Sequence, residues 1–205
     1  MIGERDASRV HSETTNAHAV PVHAVRGSLI AASLESLRQL GKYEPYLQRL
    51  DPSFREQVLF CLASSWVPVE AALAHYAAQE ALSLSASELS DVGDMVSERV
   101  AGAFLGSLQR TSRAHSLTAS PWIPLREYRR MCDRLLRGGA IDLRELGEKE
   151  AELSIGSVPM LRFQAFRSTM FALTRHAVGA FALRAFVREL RTNDPEQLHL
   201  LVRWL

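Results

Sequence analysis

Cysteine is scarce in this chain: Cys61 and Cys132 are the only two among 205 residues. Two isolated thiols supply neither a disulfide framework nor a zinc site. Both lie in apolar, helical-looking surroundings, where a free thiol serves as a small core residue. Lysine is equally thin, with 2 Lys against 22 Arg, a bias of a GC-rich genome rather than a functional demand. Net charge is close to absent at +1, which removes any global pull towards nucleic acid or anionic membrane. No stretch reaches about 18 uninterrupted apolar residues. Ala165 to Phe186 comes nearest, and Arg167, Arg175, His176 and Arg184 interrupt it. The first residues, Met1-Ile-Gly-Glu-Arg-Asp, carry charge where a signal peptide has an apolar core. These absences predict a cytoplasmic protein with no membrane span.

Motifs of catalysis are missing as well. There is no phosphate-binding Walker loop and no Gly-x-Gly-x-x-Gly. Ser64, Ser65, Ser154, Ser157 and Ser168 sit in no Gly-x-Ser-x-Gly elbow. His75 has no His-x-x-x-His or Glu-x-x-His companion and reads as a histidine with one hydrogen bond, not a ligand. Irregularly spaced His11, His18 and His23 lack a carboxylate cage and belong to a polar tail over residues 1–24. Glu148, Glu150 and Glu152 read as a solvated edge. The expectation is no catalytic residue, no metal site and no enzyme.

What is present is ordinary for a globular domain: 47% hydrophobic and 23% charged residues. Leu29, Ile30, Leu34, Leu37 and Leu40 recur at helical spacing, with Gly41 as the stop. Asp51-Pro52 has the form of a helix start. Trp66-Val67-Pro68 breaks that helix and opens an alanine-rich one through Tyr76. Ser85 and Glu88 form a capping box before a helix reaching about Leu108. Thr111 to Pro121 reads as a loop, and a helix from about Leu125 to Leu136 ends at Gly138-Gly139.

The last fifty-odd residues read differently. Ala151-Glu-Leu-Ser-Ile155 alternates, Leu161 to Phe181 is too long and apolar for a strand, and Leu183–Leu190 and Leu198–Leu205 alternate again. This predicts an α+β fold, with an N-terminal helical layer packed on a small antiparallel sheet made by a C-terminal strand–helix–strand–strand unit, all within one domain over residues 25–205. Leu198, Leu200, Val202 and Trp204 form the core face of the last strand. The other sheet face is mixed, with Phe186 and Leu201, and calls for a cover, either the N-terminal helices or a second subunit.

Charge is uneven along the chain. Residues 44–98 hold nine acids against two Arg, and residues 99–141 hold eight Arg against two acids. Arg126, Arg129, Arg130, Arg134 and Arg137 form the densest basic run, on or beside one face of the expected helix. They are the candidate contact for an anion or nucleic acid, the runner-up to a sensor or interaction module.

Leu50-Asp51-Pro52 with Arg55, Trp66-Val67-Pro68 before the alanine-rich helix, Gly93, and Trp122 followed by Gly138-Gly139 resemble a paralogous family of proteins of this size expanded in myxobacteria. The strand–helix–strand–strand ending over residues 150–205 is similar in outline to haem–nitric-oxide-binding and four-vinyl-reductase-like sensor domains. That second resemblance implies a regulatory domain that binds a small or hydrophobic ligand and dimerises. Haem-binding members carry Tyr-x-Ser-x-Arg for the propionates, whereas the corresponding helix here reads Phe163-Gln-Ala-Phe166-Arg167-Ser168, so no cofactor is expected. The reading is therefore a non-enzymatic sensor or protein-interaction module, homodimeric or partnered by a signalling protein. Its apolar pocket would be lined by Trp66, Tyr76, Trp122, Phe163, Phe166 and Met170, with Arg167 or Arg175 meeting an acidic ligand.

Overall fold

In the computed structural model, residues 20–114 and 120–205 are described; most of the expected tail, including His11 and His18, lies outside them. The chain is already tied down at its first described residues. The amide of Gly139 donates to the Val20 carbonyl at 2.8 Å, and that of buried Val22 donates to Ser157 at 2.9 Å.

Strand β1 (Ala24–Arg26) leads into helix α1 (Gly27–Gln39), then α2 (Tyr43–Arg49). A 3-10 turn over Pro52–Phe54 runs into α3 (Arg55–Leu59). Asp51 starts the turn as its sequence suggests, accepting from the Ser53 amide at 2.9 Å. Next come β2 (Trp66–Pro68), α4 (Val69–Glu80) and the long α5 (Ala86–Ala114). The capping box at the head of α5 forms: Ser85 N donates to Glu88 at 2.8 Å, and the Glu88 amide donates back to Ser85 Oγ at 3.3 Å. Lys42 and this cap hold the Glu88 carboxyl down to about 2. The run continues with α6 (Trp122–Arg126), α7 (Tyr128–Cys132), β3 (Leu136–Arg137), β4 (Ala140–Gly147), β5 (Glu150–Gly156), α8 (Gln164–Gly179), β6 (Ala185–Leu190) and β7 (Leu198–Trp204).

The architecture is α+β, as the sequence predicts, with two antiparallel sheets. The larger has the order β4-β5-β7-β6 and the smaller β2-β1-β3. The C-terminal strands pair in register, Leu153 with Leu200 and Val187 with Val202. Ala151, Leu153, Ile155, Leu198, Leu200 and Val202 are all buried on one face. Each of the five larger side chains among them stabilises by roughly 1.5–3 kcal/mol on leaving water. Helix α8 packs between this sheet and α5, and α1 packs on α5. Among the described residues no helix is long and apolar enough to cross a membrane.

Three expectations are corrected. The small sheet shows that strands form outside the C-terminal unit: Trp66-Val67-Pro68 is a strand paired with Ala24–Arg26, not merely a helix breaker. These strands are three residues or fewer, too short for a period-2 pattern to register. The expected helix 125–136 does not exist as one piece. It breaks at Glu127 and again after Cys132, so the five arginines share no helix face. In addition, α5 continues to Ala114, into the expected loop, whose residues 115–119 lie outside those described.

Candidate functional site

The helix pair α5–α8 dominates the interior, and glycine permits it. A Cβ on Gly93 would stand 2.7 Å from the Ser168 carbonyl oxygen, so the two backbones meet where a larger residue cannot fit. Further along, the helices part, and β6 forms a third wall. The resulting groove has a volume of about 590 Å³ and is lined by Ser97, Glu98, Gly102 and Leu105 from α5, Arg175, His176, Gly179 and Ala180 at the end of α8, and Ala185. Above Gly102 and Gly179 nothing lies within 4 Å of where a Cβ would be. Gln109 Nε2 donates to the Ala180 carbonyl at 2.7 Å and holds the two helices together there.

A polar bridge crosses the groove's near end. Arg175 pairs with Asp94. His176 Nδ1 lies 2.7 Å from Ser97 Oγ, and its Nε2 faces Asp94 Oδ1 at 3.8 Å. Ser97 Oγ donates to the Asp94 carbonyl at 3.0 Å and so accepts from the imidazole. Asp, His and Ser thus meet, but not as a nucleophilic triad. The serine is buried and its proton is already given to the backbone, while Asp94 is held by arginine, leaving no activated hydroxyl facing the groove.

The residues singled out in sequence do not converge on one pocket. Tyr76 and Phe166 meet edge to face at 5.0 Å, fully inside the core, with Met170 also buried. Phe163 packs partly buried against that core. Trp66 lies on the small sheet between Arg26 and Arg137, at 4.8 and 4.4 Å from its ring. Trp122 docks on the far end of the main sheet, edge to face with Trp204 at 4.9 Å, and donates to the Glu148 carbonyl. Arg167 and Arg175 do share a depression of about 220 Å³ with Ser90, Ser168 and Glu189. Arg167 is committed to Glu189 and to the carbonyls of Leu161 and Gln197. Among the other arginines, Arg126 pairs with Glu145, Arg130 with Glu127, and Arg134 lies over Phe104; Arg129 is exposed on α7. The acidic partners of Arg126 and Arg130 lie outside the acidic segment 44–98.

Sequence reasoning missed Asp94, Ser97, Glu98, Gly102 and Gly179. The readable signal was local: Arg175-His176 followed by Gly179-Ala180 puts two polar groups beside two small ones within a turn. Their α5 partners lie about eighty residues earlier, and no spacing rule connects them.

The N-terminal helices enclose a different polar cluster. His75, fully buried on α4, has Nδ1 at 2.6 Å from Tyr46 OH and Nε2 within 2.6 Å of Gln79 and 3.0 Å of Ser33. Burial pushes its imidazole down to about 3, so it is neutral. Burial likewise pushes the Tyr46 and Tyr76 phenols and the Cys132 thiol well above their ordinary values.

A helical layer on an antiparallel sheet, with a groove between two long helices and an edge strand, defines a small α+β domain. Solved structures share this fold. An Fe(II) unliganded H-NOX protein from K. algicida superposes with a TM-score of 0.64 over 88% of this chain and 96% of that one, at 11% identity. A mutant of the same protein gives 0.58 at 10% identity, over 88% and 96% of the two chains. A structure described as modulating haem redox potential through protein-induced porphyrin distortion gives 0.53 at 11% identity, over 87% and 99%. No protein-family model and no curated protein matches the chain. The likeness extends far beyond the C-terminal unit in which the sequence shows it.

Among the described residues no buried histidine offers haem a free ring nitrogen. A ligating imidazole needs a ring nitrogen free to face the iron. Both nitrogens of His75 are hydrogen-bonded within the core. His199 is held by Ser154 and Gln197 on the sheet; half-buried His176 is held by Ser97 at Nδ1 alone, its Nε2 facing the Asp94 carboxylate at 3.8 Å; and His23 stands exposed on the short strand-entry segment. The contact of Gly93 with Ser168 also closes α5 onto α8 there. Among the described residues no three His, Cys, Asp or Glu side chains group closely enough for a metal ion.

Proposed function

We propose that this protein is a non-enzymatic, cytoplasmic sensor module that binds a small, largely apolar molecule in the α5–α8–β6 groove without haem. The observation that carries this reading is the groove itself: a space of about 590 Å³ with small residues along it and a fixed polar bridge at one end. That combination of apolar wall and few oriented polar groups is what small-ligand sites share. The groove joins α5, α8 and β6, so occupancy would bear on the helical layer and the sheet together.

The test is native mass spectrometry of freshly purified protein, followed by titration of small apolar compounds against wild type and Gly179→Leu. The new side chain would enter space that is open in the wild type. Binding weakened about tenfold, near 1.4 kcal/mol, with an unchanged melting temperature supports the groove. Equal binding by both proteins removes it.

We also propose a homodimer across the open face of the main sheet, where Phe186 is 51% exposed and Leu201 half-buried. Sedimentation showing a monomer at high micromolar concentration removes that reading.

A further inference from the structure

We infer that the groove selects a positively charged apolar ligand, an amine carried on a hydrocarbon body, and that Glu98 is its charge partner. This rests on the groove being the ligand site. The argument is a charge census of the lining. Among the described lining residues Arg175 is the only permanent cation, and Asp94 already neutralises it. His176 is engaged by Ser97. Among the described residues Glu98 is the only carboxylate of the lining, it is exposed, and its side chain has no hydrogen bond or ion pair. The positions one turn away on its helix are Asp94, Met95, Ala101 and Gly102, none of them cationic, and the adjacent Arg99, which lines a separate depression with Glu98 on the α1 side, makes no ion pair with it.

An incoming carboxylate would therefore meet Glu98 and Asp94 and could reach Arg175 only by displacing Asp94. An ammonium would meet Glu98 with nothing to displace. Its hydrocarbon body would lie over Gly102, Leu105, Gly179 and Ala180, where the missing Cβ atoms leave room. The acidic ligand that Arg175 suggests in sequence is thus disfavoured by the pair that Arg175 makes in the fold.

Three probes of equal length separate the ideas: hexylamine, hexanol and hexanoate, titrated by NMR into the full chain at low salt, with Glu98→Gln and Gly179→Leu alongside. The expected order is amine, alcohol, carboxylate. The amine should lead the alcohol by about fivefold, the upper range for an exposed pair, and lose that lead in Glu98→Gln and in high salt. Hexanol binding should not change in Glu98→Gln. If hexanoate binds as well as hexylamine, or Glu98→Gln leaves amine binding unchanged, the charge inference is overturned while the groove stands. If none of the probes shifts groove resonances in a way that Gly179→Leu abolishes, the groove reading falls and this inference with it.

Discussion

His75 shows how one buried side chain ties proton binding to stability. In the unfolded chain its imidazole titrates near 6.5, and in the fold near 3. Between those values the unfolded state holds a proton that the folded state refuses. Stability therefore falls as pH drops through that window, by about 1.4 kcal/mol per unit at most, and is fully retained above it. Thermal melts from pH 7 to pH 4 should show this loss. His75→Leu should start lower by about 2–4 kcal/mol, because Tyr46, Ser33 and Gln79 lose their partner, yet decline less steeply as pH falls. A mutant with the wild-type slope would mean the acid sensitivity lies elsewhere.

Elements are held together by contacts that single positions decide. Gly93 and Gly102 both sit in α5, one at the crossing with α8 and one facing open space. Gly93→Ala should cost about 1–3 kcal/mol, since a backbone carbonyl must move. Gly102→Ala should stabilise by about 0.5–1 kcal/mol through helix propensity alone. Urea denaturation of the two variants should move their midpoints in opposite directions, and a shift in the same direction would contradict the crossing geometry. The basic segment makes the same point in reverse. Its residues have helical periodicity, but Glu127 and the turn after Cys132 send the chain into β3, and the arginines take up separate duties on Trp66, Phe104, Glu145 and Glu127.

At the scale of the whole molecule, the fold is shared with H-NOX structures and the interior is packed with the protein's own side chains. Phe166, Tyr76, Tyr128 and Met160 fill it, and the Tyr128 hydroxyl bonds Thr174 at 2.8 Å. Expression with iron and a haem precursor, followed by haemin titration of the purified chain, should give no stoichiometric Soret absorbance. A one-to-one haem complex would overturn the reading of this protein as a module that works without haem.

Local chemistry in the sequence determined several of the elements. The capping box at Ser85, the stop at Gly41 and the alternation of residues 151–155 and 198–204 each act within a few residues, so each was legible and each forms as read. The faces of the last strands followed from the same period of two. Only the tertiary structure decided the site. The Ser97–His176 contact spans 79 residues and the Asp94–Arg175 pair spans 81, and both depend on the crossing that Gly93 allows. Side chains that look like a pocket in sequence went to the core because burial rewards aromatic area wherever the fold offers it. The groove was left to small residues, which carry no periodic hydrophobic signal.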